Sequence, residues 1–495
     1  MDASPQLSID FLPAWAKLQD VQLTKVGMQH IDRKGYGLVS GDGLRASDDV
    51  KDVMEIIRIP AGLVLSAATV EEYAKVDHNF KELLDAAGRK STRLDIMLYL
   101  LVQMVSGKHA REASTACVPT SWSEYIKFLP QTIPVPTLWS ESHKLLLQGT
   151  TLEEALEAKM TTLNSEFARL RDNSSDLPFW YSLLWERNGA VLSDWLLVDA
   201  WYRSRCLELP QASHAMVPAL DMVNHSATAT AYYEEEASGD VSLRIRPGLQ
   251  VAAGQEISIS YGDSKSAAEM LFSYGFIDPD SKTRELTLHL DGFPDDPLAM
   301  AKLRVFGGAP TVTFRQAEPD RSGSSCMLWE SGFVHLMCLN EEDGLEFCIL
   351  QDDAGDRQLR VLWQDEDVTD RADRFEKLLD GHPLQALFQL RSVSVVQQQA
   401  ATQLDKLNVA PDAELLEPLI SAGLVDQNYV NLVAELRDSE RLMLETAVAE
   451  LEREKLRLVQ DKSVVAYFGS KEDGQNELEQ HGVSPSSAND CVDFS

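Results

Sequence analysis

The chain is poor in the residues that would announce a metal cluster, a disulfide scaffold or a nucleic-acid face. It has six cysteines, Cys117, Cys206, Cys326, Cys338, Cys348 and Cys491, and no two of them form a Cys-x-x-Cys pair. Neither a zinc cluster nor a disulfide framework is readable from such spacing, and a reducing compartment is expected. Basic residues are scarce: 45 Lys and Arg against 78 Asp and Glu give a formal charge of −33. Phosphate binding needs a basic face, so nucleic acid is not an expected partner; the balance suits a basic protein partner or simply an acidic, soluble surface. The longest apolar run, around Ile96 to Val105, falls well short of the ~20 residues of a membrane span. The opening residues, MDASPQLSID, lack the basic and apolar regions of a secretory signal, so a soluble protein of the cytoplasm, the nucleus or both is expected. No internal repeat is evident.

What is present is globular. With 495 residues, 44% hydrophobic and 25% charged, the chain is long enough for two or three domains. A helix is expected from Ile9 to Leu18, followed by the glycine-spaced loop IDRKGYGLVSGDGL and by MEIIRIPAGLVLS, one or two strands broken at Pro60-Ala61-Gly62. Gly35 and Gly37 let the backbone approach a ligand closely or take positive φ. A dinucleotide-binding loop fails on context, because Ser40 stands where a third glycine should be and strands follow. A tight hairpin is the plain alternative. From Thr69 to about Trp201 the pattern is helical, with Tyr125, Ile126 and Leu129 on one face of a segment opened by Ser121-Trp122, and a further helix from Thr151 into Phe167. Trp180, Tyr181, Trp185, Trp195, Trp201 and Tyr202 read as core filling between helices. Ser193 caps a helix that ends near Arg205, whose charge could complement the helix dipole.

The organising stretch runs from Val217 to Phe276. It holds the turn Asp221-Met222-Val223-Asn224-His225, then meandering strands from Tyr232 to Ile257. Ile257, Ile259 and Tyr261 alternate with Ser258 and Ser260, the period of a half-buried strand, so Tyr261 faces inward. Gly262-Asp263-Ser264 turns the chain and offers an N-cap; Ala267, Met270, Leu271 and Tyr274 then recur at helical spacing until Gly275. Two tyrosines thus approach one pocket from a strand end and a helix end. Asn224-His225 reads as a turn or as a ligand contact. As a metal site it is poor: His214 is the nearest other imidazole in sequence and no Cys or carboxylate cluster stands at ligand spacing, so no metal is predicted. Past Asp278-Pro279, Thr287 to Leu290 offers a strand. Long helical patterns start at Pro297, interrupted between Gly307 and Ser325, and two amphipathic helices close the ordered part. Residues 469–495 are polar, contain Gly and Ser, and are expected to be disordered.

The Asp-Met-Val-Asn-His turn, the Ser-Tyr-Gly strand end and the Tyr-Gly-Phe helix end, in that order and spacing, resemble the SET-domain protein methyltransferases. The likeness is to the branch that includes the Rubisco large-subunit lysine methyltransferase and the actin-histidine methyltransferase. It implies an α+β chain: a SET-domain β-fold with a pseudoknot in residues 20–66 and 201–285, an inserted helical subdomain in 67–200, and a C-terminal helical, substrate-binding-like domain in 297–462. It further implies S-adenosyl-L-methionine as cofactor, held by Gly35, Tyr36, Gly37, Arg205 of the Ser204-Arg205 pair, Asp221, Asn224, His225 and Tyr274, with Phe276 helping to wall the pocket or channel. Tyr261 is the implied catalytic residue. A phenol whose free pKa is about 10 suits orientation of an amine better than general base catalysis at pH 7. No cysteine-rich tail follows Phe276, which points away from histone tails and toward a folded, non-histone protein with an exposed lysine. The expectation is a monomeric lysine N-methyltransferase; a histidine methyltransferase and a catalytically idle binding module are the alternatives.

Overall fold

The computed structural model describes residues 6–49, 53–108, 117–186, 189–262, 264–281, 283–317, 326–351, 357–409 and 413–469. Two compact units divide the chain: Met1–Gln148, Leu152–Thr283 and Pro411–Leu436 form the first, and Gly149–Thr151, Arg284–Ala410 and Arg437–Ser495 the second. Most of the tail expected to be disordered lies outside the described residues, as does Asp263 of the expected turn.

In the first unit a short helix, α1 (Leu12–Leu18), leads through β1 (Gln22–Leu23) into a hairpin of β2 (Val26–Ile31) and β3 (Gly35–Ser40). Their antiparallel register runs from Val26↔Ser40 to Ile31↔Gly35. The connection needs left-handed backbone at two places, supplied by Arg33 at φ 61° and Gly35 at φ 75°, and glycine takes that region without steric cost. The glycine-spaced segment is therefore the start of a strand rather than an open loop, the hairpin alternative. After β4 (Leu44–Arg45), β5 (Glu55–Ile59) and the helical insertion, the chain returns through β6 (Cys206–Leu209), β7 (Ser213–Met216), β8 (Ala231–Glu235), β9 (Val241–Ile245), β10 (Gln250–Val251) and β11 (Glu256–Ile257). Strands from before and after the insertion share sheets, in the orders β1-β5-β9-β8, β11-β3-β2 and β10-β4. An isolated parallel bridge joins His225 to Ile259, and it threads the Asp221–His225 turn alongside the strand that leads to Tyr261.

The insertion contains α2 (Ala67–Val76), α3 (His78–Ala87), α4 (Thr92–Lys108), α5 (Ser121–Tyr125), α6 (Thr151–Ser174) and α7 (Leu192–Arg205). Every residue of α4 from Ile96 to Val105 is buried. A helix apolar on all sides is stable only when enclosed, and α7 is among the helices packed on it. Trp180, Trp195 and Trp201 are buried, and the indoles of Trp180 and Trp201 donate to the carbonyls of Asn79 and Pro130 at 2.7 and 2.8 Å. Core filling is thus their role, whereas Tyr181 is exposed. The cap of α7 differs from the sequence expectation: the helix starts one residue before Ser193, and Asp194 accepts from the Val191 amide at 3.1 Å. Helix α8 (Ala267–Tyr274) is capped by Ser266, in a reciprocal pair with Glu269, and ends on Gly275 at φ 83°. The cap expected at Asp263-Ser264 is displaced because only Ser266 has a glutamate at the third helical position to complete the box.

The second unit has more strand than its sequence suggested. Two three-stranded sheets, β12 (Glu285–His289), β13 (Thr311–Gln316), β14 (Met327–Glu330) and β15 (Leu345–Gln351), β16 (Arg357–Trp363), β17 (Glu366–Asp367), precede the long helix α9 (Gln385–Asn408) and α10 (Gln427–Val459), of which the residues from Arg437 on belong to this unit. Before residue 385 its helices are short, Ala299–Phe306, Val334–Met337 and Phe375–Leu378 among them, and the long helices come only after it. The hairpin of β15 and β16 alternates weakly because it is largely exposed at its far end, where Ile349 and Leu350 face solvent.

Candidate functional site

Tyr261 lies at the centre of the first unit's motif residues. Its amide donates to Nδ1 of His225 at 3.0 Å, and its hydroxyl donates to the Val223 carbonyl at 2.8 Å. Both partners come from the turn on the neighbouring threaded segment, so the phenol's orientation is fixed from two sides. Its ring lies 4.6 Å from that of Tyr274, 5.2 Å from His225 and 6.5 Å from Phe276, centroid to centroid. Burial pushes the Tyr261 phenol well above its ordinary value, and the nearby Arg205 pulls it back only in part. The phenol of Tyr274 is pushed up to about 12, also chiefly by burial. Both groups are neutral at pH 7 and can orient a ligand but not serve as bases.

His225 is more a brace than a ligand contact. With Nδ1 accepting from Tyr261, the proton resides on Nε2, which donates to Asp278 Oδ2 at 3.0 Å. Asp278 in turn accepts from the Ala227 amide at 3.1 Å. Both ring nitrogens are therefore engaged within the protein, and whatever the Asn-His step offers a ligand comes from its backbone or from Asn224. The Asn224 amide donates to Glu256 Oε1 at 2.9 Å, and Lys34 Nζ donates to the other oxygen of Glu256 at 2.8 Å. Gly37 faces this group: a methyl there would lie 2.4 Å from Asn224 Nδ2, 2.5 Å from Ile31 Cδ1 and 3.3 Å from Glu256 Oε1. Close approach, not unusual backbone, is what requires glycine at 37. At Gly35 it is the positive φ, with nothing within 4 Å of a would-be methyl. Tyr36 is held apart, its exposed ring edge-on to His30 at 5.8 Å.

Arg205, at the end of α7, donates from Nη1 to the Asp221 carbonyl at 2.7 Å and lies 3.6 Å from that residue's carboxylate. Burial raises the Asp221 carboxyl, and Arg205 and the Tyr125 hydroxyl oppose the rise. Tyr125 Oη donates to Asp221 Oδ1 and accepts from the Ala219 amide at 2.7 Å. That contact supports Ala219 at φ 66°, a left-handed conformation unusual for alanine. Arg205 Nε and Asp221 Oδ2 are buried without hydrogen-bond partners, an expensive state that a polar ligand would relieve. Behind this layer the buried Asp199 pairs with Arg93, Lys159 and Arg203 at 2.6, 2.9 and 3.0 Å. Arg203 also donates to Thr137 at 2.7 Å and to the Phe272 carbonyl of α8, tying α7 to the helix that carries Tyr274.

The structure thus gathers Tyr261, Tyr274, Phe276, His225, Asn224, Gly37, Asp221 and Arg205 through short contacts, and leaves the Tyr36 side chain outside. Sequence reasoning missed Tyr125, Glu256, Asp278 and the Asp199 cluster. Glu256, five residues before Tyr261, carried the one available signal, an acidic residue opening a short strand. Among the described residues no group of His, Cys, Asp and Glu could hold a metal ion, and no helix is long and apolar enough to cross a membrane.

No family model matches the chain. It is similar to SET domain-containing protein 8 of Schizosaccharomyces pombe, 26% identical over 386 residues, or 77% of this chain and 82% of that protein. It is 27% identical over 289 residues to the chloroplastic Rubisco large subunit N-methyltransferase of Pisum sativum, spanning about half of each, 55% and 53%. A third likeness, 26% over 198 residues, covering 38% of this chain and 39% of the other, is to the chloroplastic fructose-bisphosphate aldolase-lysine N-methyltransferase of Arabidopsis thaliana. Two solved structures share the fold at 20% identity and TM-score 0.60: Rubisco LSMT bound to AdoMet, over 97% of this chain and 98% of that one, and the SET domain of LSMT bound to lysine and AdoHcy, over 92% and 94%. The fold is the one those SET-domain structures show, and the threaded tyrosine site lies within it. In sequence the chain is similar to a SET domain-containing protein and to the Rubisco large-subunit N-methyltransferases.

Proposed function

We propose that this protein transfers a methyl group from S-adenosylmethionine to a lysine side chain of a folded, non-histone protein in the cytoplasm, the nucleus or both. The observation that carries the reading is the immobilised, neutral Tyr261 hydroxyl, 2.8 Å from the Val223 carbonyl and walled by Tyr274 and Phe276. The relatives named for methylating Rubisco and an aldolase lysine support a protein acceptor, and the charge of −33 suits a basic one.

The residues present fit the methyl donor. Arg205 Nε is an unpartnered buried donor for a carboxylate, and the bare backbone at Gly37 leaves a cradle that a side chain would fill. Arg205, Asn224 and the Gly35 to Gly37 strand would hold the donor, which when bound supplies an activated methyl on a sulfonium. The rest is alignment. The Tyr261 hydroxyl keeps its proton on Val223 and presents a lone pair to the incoming amine. The aromatic walls exclude water and disfavour the charged form of that amine, which must arrive deprotonated to attack.

Tyr261→Phe tests the assignment. Donor affinity measured by calorimetry should stay within a few-fold of wild type, while turnover on labelled protein from a cell extract falls roughly 10²–10³-fold, the usual cost of one preorganised polar contact. Unchanged turnover removes Tyr261 from the reaction. Mass spectrometry of the labelled peptide decides between lysine and histidine as acceptor.

A further inference from the structure

Lys265 lies four residues beyond Tyr261, and Gly262 between them takes φ 133°. Its stem does not extend into solvent. It folds back over Gly262, where a methyl would meet Lys265 Cε at 3.1 Å, Cγ at 3.5 Å and Cδ at 3.7 Å. The ammonium ends above the Tyr274 ring, 6.0 Å from its centroid, and that ring packs tilted at 38° against Tyr261, centroids 4.6 Å apart. No carboxylate pairs with Lys265 among the described residues. In a chain with 78 acidic and 45 basic residues, a lysine set on an aromatic face with no carboxylate partner among the described residues is held by the ring's quadrupole. The face it occupies belongs to the same pair of tyrosines that would wall the acceptor amine.

We propose that Lys265 is a built-in acceptor: when no protein substrate fills the site, its amine reaches the acceptor position and is methylated in cis. The inference rests on the methyltransferase reading above. A lysine's four-carbon stem has the freedom to move by about one ring width. For transfer the ammonium first gives its proton to water. The nitrogen lone pair then forms a bond to the methyl carbon while the carbon–sulfur bond breaks, sulfur keeping that electron pair as a neutral thioether and the product nitrogen carrying the positive charge. Methylation would leave Lys265 cationic and more apolar, and so keep it on the ring and slow the entry of other lysines.

Two measurements on the full chain test this. In the first, purified protein is incubated with labelled S-adenosylmethionine and no substrate, and the peptide containing Lys265 is mapped by mass spectrometry. Methyl groups should be found on Lys265, be absent in Tyr261→Phe, and be suppressed by added cell extract. In the second, with no donor present, binding of monomethyl-lysine is titrated against wild type and Lys265→Met. Removing the resident cation should tighten binding roughly two- to fivefold, the worth of one exposed cation–π contact. Label on extract proteins with none on Lys265 overturns the proposal, as does identical probe binding by the two proteins. If the protein fails to bind the donor at all, the enzymatic reading falls first and this inference with it, an outcome distinct from the other two.

Discussion

Gly35 and Gly37 stand two residues apart and need to be glycine for different reasons, so replacing each by alanine separates backbone strain from damage to the site. At Gly37 a methyl would sit 2.4 Å from Asn224 Nδ2 and 2.5 Å from Ile31 Cδ1. The Ile31 methyl can swing away, but the Asn224 amide is pinned by its 2.9 Å bond to Glu256. Breaking a hydrogen bond to a carboxylate costs about 1.5–3 kcal/mol, and overpacking adds about 1–3 kcal/mol if nothing relaxes. If Asn224 helps hold the methyl donor, displacing it should raise the donor Kd about 10- to 100-fold, since ~1.4 kcal/mol is tenfold. At Gly35 the φ of 75° makes alanine cost about 1–2 kcal/mol of folding stability, but open space surrounds the position and the site keeps its shape. Calorimetric donor affinity and denaturant unfolding are measured for both variants. Gly35→Ala should lose stability and keep affinity; Gly37→Ala should lose affinity. Equal donor affinity in Gly37→Ala and wild type, or equal losses in both variants, would refute the assignment of Asn224 and the Gly37 cradle.

Three further outcomes are expected. Arg205→Ala should weaken donor binding at least tenfold and lower stability by about 3–5 kcal/mol, because it strands the buried Asp221 carboxylate; calorimetry showing wild-type affinity removes Arg205 from the site. Asp278→Ala should cut turnover several-fold with donor affinity unchanged, because His225 loses the partner that keeps Nδ1 aimed at the Tyr261 amide; a wild-type rate shows that the brace is unnecessary. In the second unit Glu440 is buried and accepts from the Thr151 amide at 3.2 Å, and burial pushes its carboxyl from the ordinary 4.5 to about 7 against the pull of Thr151 and Arg437. A folded value above the unfolded one means that its contribution is complete below about 4.5 and is lost as pH rises through about 7, a swing on the order of 3 kcal/mol. Glu440→Gln should flatten that slope in chemical denaturation between pH 5 and 8; an unchanged slope places its origin elsewhere.

What the sequence showed of the site and what it hid follow from the range of the interactions. Tyr261, Tyr274 and the Asp221–His225 turn were legible because alternation, helical spacing and a glycine stop are properties of neighbouring residues. Sheets that pair β3 with β11 and β5 with β9 across the whole helical insertion leave no such mark. The same limit explains the second unit, where the exposed far end of the β15–β16 hairpin weakens alternation and the strands read as interrupted helix. Tyr36 was grouped with its glycine neighbours by the family likeness of the Gly35-Tyr36-Gly37 segment, although in a strand successive side chains point to opposite faces. Its ring therefore lies on His30 while Gly37 meets Asn224.

The residues that hold the chemistry in place are further from it in sequence than those that perform it. Tyr125 comes from the insertion, 96 residues before Asp221, yet its hydroxyl satisfies both the Asp221 carboxylate and the amide of the strained Ala219. Asp278 is 53 residues beyond His225 and fixes which of its nitrogens carries the proton. A helical subdomain inserted in a β-fold is often read as a place for substrate specificity to vary. Here it also completes the electrostatics of the turn, because removing Tyr125 would leave a buried carboxylate and an amide each without its hydroxyl partner, at about 1–3 kcal/mol apiece. The insertion and the SET β-strands should therefore unfold as one cooperative unit, and a chain cut to the β-strands alone should lack the Asp221 to Asn224 turn even if the strands themselves paired.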